Sequence, residues 1–177
     1  MELKGKKIFV TGAGGFIGSH LCNELINLGA DVTAMLHYNS RSDWSNLEFL
    51  DKEKLNALNV VKGNIEDPSF MNSNIKGHDI VFHLAALIGI PYSYEAPLSY
   101  VKTNIQGTVN VLEASRNNNI DLVINTSTSD WDEADGIGAT IFNNNFSVVD
   151  SFNTIILPAT TPPTPGVFLT SLLLTGV

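Results

Sequence analysis

Glycines stand at positions 12, 15 and 18 of the stretch Thr11-Gly12-Ala13-Gly14-Gly15-Phe16-Ile17-Gly18. The run Ile8-Phe9-Val10 before them is short and apolar, as a buried strand is. After them, Ile17, Leu21, Leu25 and Leu28 recur at helical spacing, and Gly29 closes the run. A glycine loop that leaves a strand and opens a helix is a place for an anion. Free N–H groups and the positive end of the helix dipole point at the bound charge there. A side chain at Gly12 or Gly15 would block the turn or the contact, and Gly18 lets helix and strand lie close. The pattern predicts a pyrophosphate held by Gly12, Gly15 and the N–H groups of Phe16 and Ile17, with NAD or NADP as its carrier.

Strand and helix alternate through the elements that must position this loop. Val32–Leu36, Val60-Val61, Ile80–Leu84 and Leu122–Ile124 read as further strands. Trp44–Leu58, Pro68–Ile75 and Pro97–Asn117 read as helices, the last with Val101, Ile105, Val109 and Leu112 on one stripe. This alternation predicts an α/β fold: a doubly wound, three-layer parallel sheet of Rossmann type with right-handed crossovers. The pattern stops after Ser129. Residues 1–129 are therefore assigned to a nucleotide-binding domain and 130–177 to a divergent segment with no separate domain. The sheet is expected to be incomplete on its C-terminal side. In the divergent segment, Val148-Val149 and Thr154–Leu157 are the strand candidates, and Pro158–Gly166 reads as linker.

Composition narrows the function classes. The 177 residues are 44% hydrophobic with a net charge of −8, which fits a globular protein and argues against nucleic acid as a partner. The charge is uneven, because every Lys and Arg lies before residue 117. The uncharged stretch Val167–Val177 is too short to span a bilayer, so no membrane partner is expected. A single cysteine, Cys22, and the lack of a leader-like N-terminus fit a cytoplasmic protein. Cys22 reads as helix packing and His83 as a core histidine. His20, His37 and His78 have no metal-ligand spacing, and the acidic run Asp130–Asp135 lacks the calcium-loop pattern, so no metal site is expected.

Several motifs carry a family resemblance. The glycine loop resembles that of the extended short-chain dehydrogenase/reductases, the NAD-dependent epimerases and dehydratases of nucleotide sugars. Gly63-Asn64-Ile65-Glu66-Asp67 looks like that family's adenine-side motif, with Asn64 in place of the usual acid. Val81-Phe82-His83-Leu84-Ala85-Ala86 resembles its fourth strand and the loop beneath the nicotinamide ribose. Thr103-Asn104-Ile105-Gln106-Gly107-Thr108 resembles its long helix, and Thr126-Ser127-Thr128-Ser129 the end of its fifth strand. Within the family, Tyr38-Asn39-Ser40 with Trp44, and Ala85 through Tyr94, look like the UDP-N-acetylglucosamine 4,6-dehydratase branch.

The resemblance covers about residues 6–129 and implies oxidation at sugar C4 by hydride transfer to a nicotinamide, with a UDP-sugar as substrate and a homodimer as assembly. It implies cofactor contacts from Asn64, Ile65, Leu84, Ala85, Ala86 and Asn104 beside the glycine loop. It places Thr128 at the site hydroxyl and Asp130 at the acid used for dehydration. Two departures matter. The second strand ends Met35-Leu36-His37-Tyr38 with no acid for a ribose 2′-hydroxyl, and Arg41 beyond it is either a partner for a 2′-phosphate or a solvated loop arginine. The family's Tyr-x-x-x-Lys base pair is absent from these residues, so turnover is expected to be absent or very weak. The alternative is a binding module without chemistry, or a remnant.

Overall fold

A computed structural model of the chain describes residues 2–40, 43–129, 136–143 and 148–149. Five strands lie parallel: β1 (Lys7–Thr11), β2 (Asp31–His37), β3 (Asn59–Gly63), β4 (Ile80–His83) and β5 (Leu122–Ser129). Their order across the sheet, β3-β2-β1-β4-β5, runs outward from β1 in both directions. That reversal is the doubly wound signature, and it opens a crevice between the C-terminal ends of β1 and β4. The sequence predicts this arrangement, because each of these strands is an apolar run bounded by turn residues.

Side-chain alternation along β1 explains the three layers. Ile8 and Val10 point to one face and Phe9 to the other, as period-two geometry requires. On the first face they pack with Cys22 and Leu25 of α1 (Phe16–Asn27) and with Leu47 and Leu58. On the second face Phe9 packs with Met71 and Ile75 of α3 (Pro68–Ile75) and with Val111 and Ala114. The face that α1 buries is Gly18, Ser19, Cys22 and Leu25; Ile17 and Leu28, at the same helical spacing as Leu25, are exposed. Gly29 ends α1 with a positive φ of 78°, a conformation that favours glycine.

Three further expectations are corrected. The expected Trp44–Leu58 helix is a 3₁₀ turn at Ser45–Phe49 followed by α2 (Lys52–Ala57), broken at Leu50-Asp51. The core governs here: Leu47 and Leu58 are buried, and Leu50 and Leu55 pack against them, without one continuous helix. The long helix is present but compound. A short α4 (Ile90–Glu95) precedes it, and α5 (Pro97–Tyr100), a π-helical turn at Val101–Gly107 and α6 (Thr108–Asn117) follow without interruption. Its apolar stripe faces solvent at Val101, Ile105 and Val109, while Gly107, Val111, Ala114 and Ser115 are buried. The small-residue face wins because it permits a closer approach. A Cβ at Gly107 would stand 2.6 Å from Ile65 Cδ1.

Lastly, the sheet is not parallel throughout. β6 (Gly136–Asn143) pairs antiparallel with β5, and β7 (Val148–Val149) antiparallel with β6. Six residues separate Ser129 from Gly136, too few for the crossover a parallel neighbour needs. Val148-Val149 is a strand as expected; Thr154–Leu157 lies outside the described residues.

Candidate functional site

The glycine loop sits where β1 ends, and each glycine has its own reason. Gly12 has φ +68°, and a Cβ on it would lie 2.8 Å from the Ala85 amide nitrogen, so the β1 loop and the β4 loop touch there. A Cβ on Gly18 would strike the Gly12 carbonyl and stand 2.8 Å from Ala13 Cα, which fixes how close α1 lies to the loop. Gly15 is different. Its added Cβ would meet only the Gly12 carbonyl oxygen, at 3.2 Å. Gly15 is the N-cap of α1, and no side chain caps that end. The N–H groups of Phe16 and Ile17 therefore have no intrahelical acceptor. By contrast, Asp67 caps α3, accepting from Ser69 N at 2.9 Å and Phe70 N at 3.1 Å. Phe16 is 74% exposed, its ring meets His20 at a tilt of 47° with centroids 4.6 Å apart, and it lines a separate cavity of about 400 Å³. What Phe16 offers an anion is its backbone.

A second cavity, of about 490 Å³, opens at the C-terminal ends of the strands beside Gly12. Gly63 at the end of β3, with Asn64 and Ile65 after it, forms one wall, and Ala85, Ala86 and Leu87 after β4 form another. Both walls are held by side chains. Asn64 Oδ1 accepts from Glu66 N at 3.0 Å, closing the turn. Thr103 Oγ1 donates to Glu66 Oε1 at 2.8 Å, and Asn110 Nδ2 donates to the Ile65 carbonyl at 2.9 Å. Asn104 grips Leu87 from both ends: its Oδ1 accepts from Leu87 N and its Nδ2 donates to Leu87 O, each at 2.8 Å.

The sequence-predicted residues are distributed as follows. Gly12, Asn64, Ile65, Ala85 and Ala86 line the cavity together. Gly15, Phe16 and Ile17 form the uncapped helix start, and Gly18 packs that helix. Leu84 turns its side chain to the core, and Asn104 stands behind the cavity wall. Thr128 lies on β5 opposite Ile137 of β6; Arg41 and Asp130 lie outside the described residues. Sequence reasoning missed Met35, His37, Glu66, Leu87 and Thr103 as lining residues. His37 ends β2 at the position where an acid is absent, and that position was the available signal.

Among the described residues two titratable groups are strongly shifted, both by burial. The Cys22 thiol is pushed up to about 12, with its own backbone hydrogen bond opposing weakly, so it stays a packed thiol. His83 is lowered to about 4 and is neutral at pH 7. Among the described residues no cluster of His, Cys, Asp or Glu could hold a metal ion, and no helix is long and apolar enough to cross a membrane.

Fold and cleft together define a Rossmann-type α/β domain of the dinucleotide-binding class. The GDP-mannose 4,6 dehydratase family model matches residues 9–131, and the chain belongs to that family. Its relatives include nucleotide-sugar enzymes. The chain is 34% identical over 111 residues to UDP-N-acetyl-alpha-D-glucosaminuronate decarboxylase of Bacillus cytotoxicus, covering 62% of this chain and 33% of that protein. The solved UDP-N-acetylglucosamine 4-epimerase of Methanobrevibacter ruminantium, in complex with UDP-N-acetylmuramic acid, superposes with a TM-score of 0.61 at 35% identity, over 72% of this chain and 39% of that one. The Bordetella bronchiseptica enzyme WbmH, solved with NAD+, superposes with a TM-score of 0.52 at 30% identity, over 66% and 37%. The chain spans little more than a third of the length of such curated relatives.

Proposed function

We propose that this chain is the dinucleotide-binding part of a nucleotide-sugar epimerase or dehydratase and that it holds NAD or NADP in the cleft beside Gly12. One observation carries this reading. α1 begins on a glycine N-cap without a side-chain cap, next to a cavity built from the ends of β1 to β4. The pyrophosphate takes the Phe16 and Ile17 N–H groups, which have no other acceptor in the helix. The adenosine end lies along Met35, His37 and Asn64, and the nicotinamide ribose lies over Ala85 and Ala86. Complexes of relatives with NAD and with UDP-sugars support this assignment.

A bound nicotinamide would supply the hydride acceptor for oxidation at C4 of a UDP-sugar. The chain's own part is to orient. Thr128 is the hydroxyl that aligns the sugar and Asp130 the acid for 4,6-dehydration. Residues 1–129 do the binding, and 130–177 form the divergent segment. These 177 residues contain no Tyr-x-x-x-Lys, so they lack the base that would take the sugar hydroxyl's proton, and turnover by this polypeptide is expected to be absent. Arg41 decides between NADP and NAD if it meets a 2′-phosphate, because no acid ends β2 to repel one. The protein works in the cytoplasm, as a pair of chains.

Calorimetric titration with NAD and NADP tests the reading. Micromolar binding, about −8 kcal/mol, is expected for one nucleotide. Gly15→Asp should abolish it without unfolding the protein. An aspartate at the N-cap accepts from the Ile17 N–H, one of the two groups that the pyrophosphate needs, and sets a negative charge beside the other, so it opposes the ligand while capping the helix. Loss of binding with an unchanged Tm supports the site. Binding unaffected by the variant places the nucleotide elsewhere, and no binding by the unaltered chain overturns the proposal.

A further inference from the structure

His83 ends β4, buried to 3% exposure, with a hydroxyl at each ring nitrogen. Nδ1 lies 2.7 Å from Thr11 Oγ1 and Nε2 lies 3.0 Å from Thr108 Oγ1. Donor counting fixes the proton on the ring. Thr11 Oγ1 already accepts from two backbone amides, Leu84 N and Ala85 N, each at 3.1 Å. Both of its lone pairs are engaged, so its own hydrogen must go to Nδ1. At the other end, Thr108 Oγ1 donates to the Asn104 carbonyl at 2.7 Å. Its hydrogen is used there, so it can only accept from the ring. Both ends independently require a bare Nδ1 and a protonated Nε2.

The chain of bonds ties three elements together. It runs from the Leu84 and Ala85 amides to Thr11 at the end of β1, through His83, to Thr108 at the start of α6, and on to Asn104 in the π turn. Asn104 in turn grips Leu87. The cleft wall from Leu84 to Leu87 is thus held by Thr11 at one end and Asn104 at the other, and His83 joins the two through Thr108. A Cβ at Gly12 would touch Ala85 N, so there is no slack between this wall and the glycine loop.

We infer that His83, locked as the neutral Nε2–H tautomer between Thr11 and Thr108, is a positioning residue that sets the Leu84–Leu87 wall of the nucleotide cleft. The inference rests on the dinucleotide reading for its effect on affinity, but not for the lock itself. Moving the proton to Nδ1 would turn the ring into a donor toward Thr11. Thr11 would then have to release the Leu84 or the Ala85 amide to accept it. Burial alone keeps the ring uncharged at pH 7, and its two hydrogen-bond partners are hydroxyls.

The test combines NMR of ¹⁵N-histidine-labelled protein with amide hydrogen exchange and NAD calorimetry, on the unaltered chain, Thr108→Val and Thr108→Ser. The unaltered chain should show the Nε2–H pattern for His83 and slow exchange at Leu84 and Ala85. Thr108→Val keeps the shape but leaves Nε2–H without an acceptor. It should weaken the tautomer lock, leaving the Thr11 end alone to hold it, speed exchange about tenfold at Ala85, since the Leu84 amide also reaches the Thr11 carbonyl at 3.3 Å, and weaken NAD binding about tenfold. Thr108→Ser should restore all three. An Nδ1–H or doubly protonated ring in the unaltered chain at pH 7 overturns the inference, and needs no folded variant. So does a Thr108→Val protein with the original tautomer and the original exchange. If the amides respond as expected while no form binds NAD, the lock stands and the cofactor reading falls.

Discussion

A buried imidazole among hydroxyls makes the stability of this domain depend on acid. His83 has a folded pKa of about 4 against an ordinary 6.5, because burial penalises its charged form. Between those values the unfolded chain binds a proton and the folded chain does not. Stability attributable to His83 is therefore complete above about pH 6.5 and declines as pH falls toward 4. The span corresponds to something on the order of 3 kcal/mol, a large part of a small domain's total. The check is a series of melts from pH 7.5 to 4 on the unaltered chain and on His83→Gln, which has no proton to gain. The difference between the two Tm curves should shrink as the pH drops. Parallel curves would mean that His83 contributes nothing to acid sensitivity. Cys22, the other strongly shifted group, is a thiol at neutral pH in both states and adds no pH dependence there.

The elements show where a linear sequence is readable and where it is not. β1 to β4 are legible because each is an apolar run that ends at, or just before, Gly or His, and the glycine loop is legible because its role is local. The face that a helix buries is less so. Period groups Ile17 and Leu28 of α1, and Val101, Ile105 and Val109 of the long helix, into stripes without saying which way a stripe turns, and all five are exposed. In both helices the buried face instead carries a glycine, Gly18 or Gly107, because approach distance outweighs hydrophobic count. β6 was invisible because Gly136-Ile137-Gly138-Ala139 has no alternation to read, and its pairing with β5 depends on the short connection. Met35, His37 and Thr103 reach the cleft only through the order of strands and the crossing of a helix. At this scale the decisive substitution is Gly18→Ala. Alanine is a better helix former than glycine by about 1 kcal/mol. Against that, its Cβ meets the Gly12 carbonyl and Ala13 Cα, which are backbone and cannot rotate away. Overpacking of this kind costs roughly 1–3 kcal/mol. The clash should prevail, lowering Tm by several degrees and weakening nucleotide binding with it; a raised Tm would show that α1 can slide.

At the scale of the molecule, and among the described residues, a face of the long helix is left unexplained by the core. Leu98, Val101, Ile105 and Val109 are 73%, 49%, 61% and 51% exposed, and they follow one another along a single helical stripe, with Tyr94 at 83% just before it. A row of large apolar side chains on solvent marks an interaction surface more readily than scattered single residues do. A helix stripe crossing its own copy about a two-fold axis is self-complementary, so pairing two chains buries both stripes with one contact. The geometry also separates this surface from the cleft. Thr103 lines the cavity and Ile105, two residues on, faces solvent, which is about half a helical turn. Pairing can therefore proceed without closing the nucleotide site. Analytical ultracentrifugation should find the unaltered chain as a dimer at tens of micromolar. Ile105→Glu brings two carboxylates together at the contact and should give monomers with an unchanged circular dichroism spectrum and unchanged nucleotide affinity. A monomeric unaltered chain would remove self-pairing as the purpose of the stripe. An Ile105→Glu monomer that lost nucleotide binding would mean that the cleft depends on the partner chain, contrary to the half-turn separation between Thr103 and Ile105.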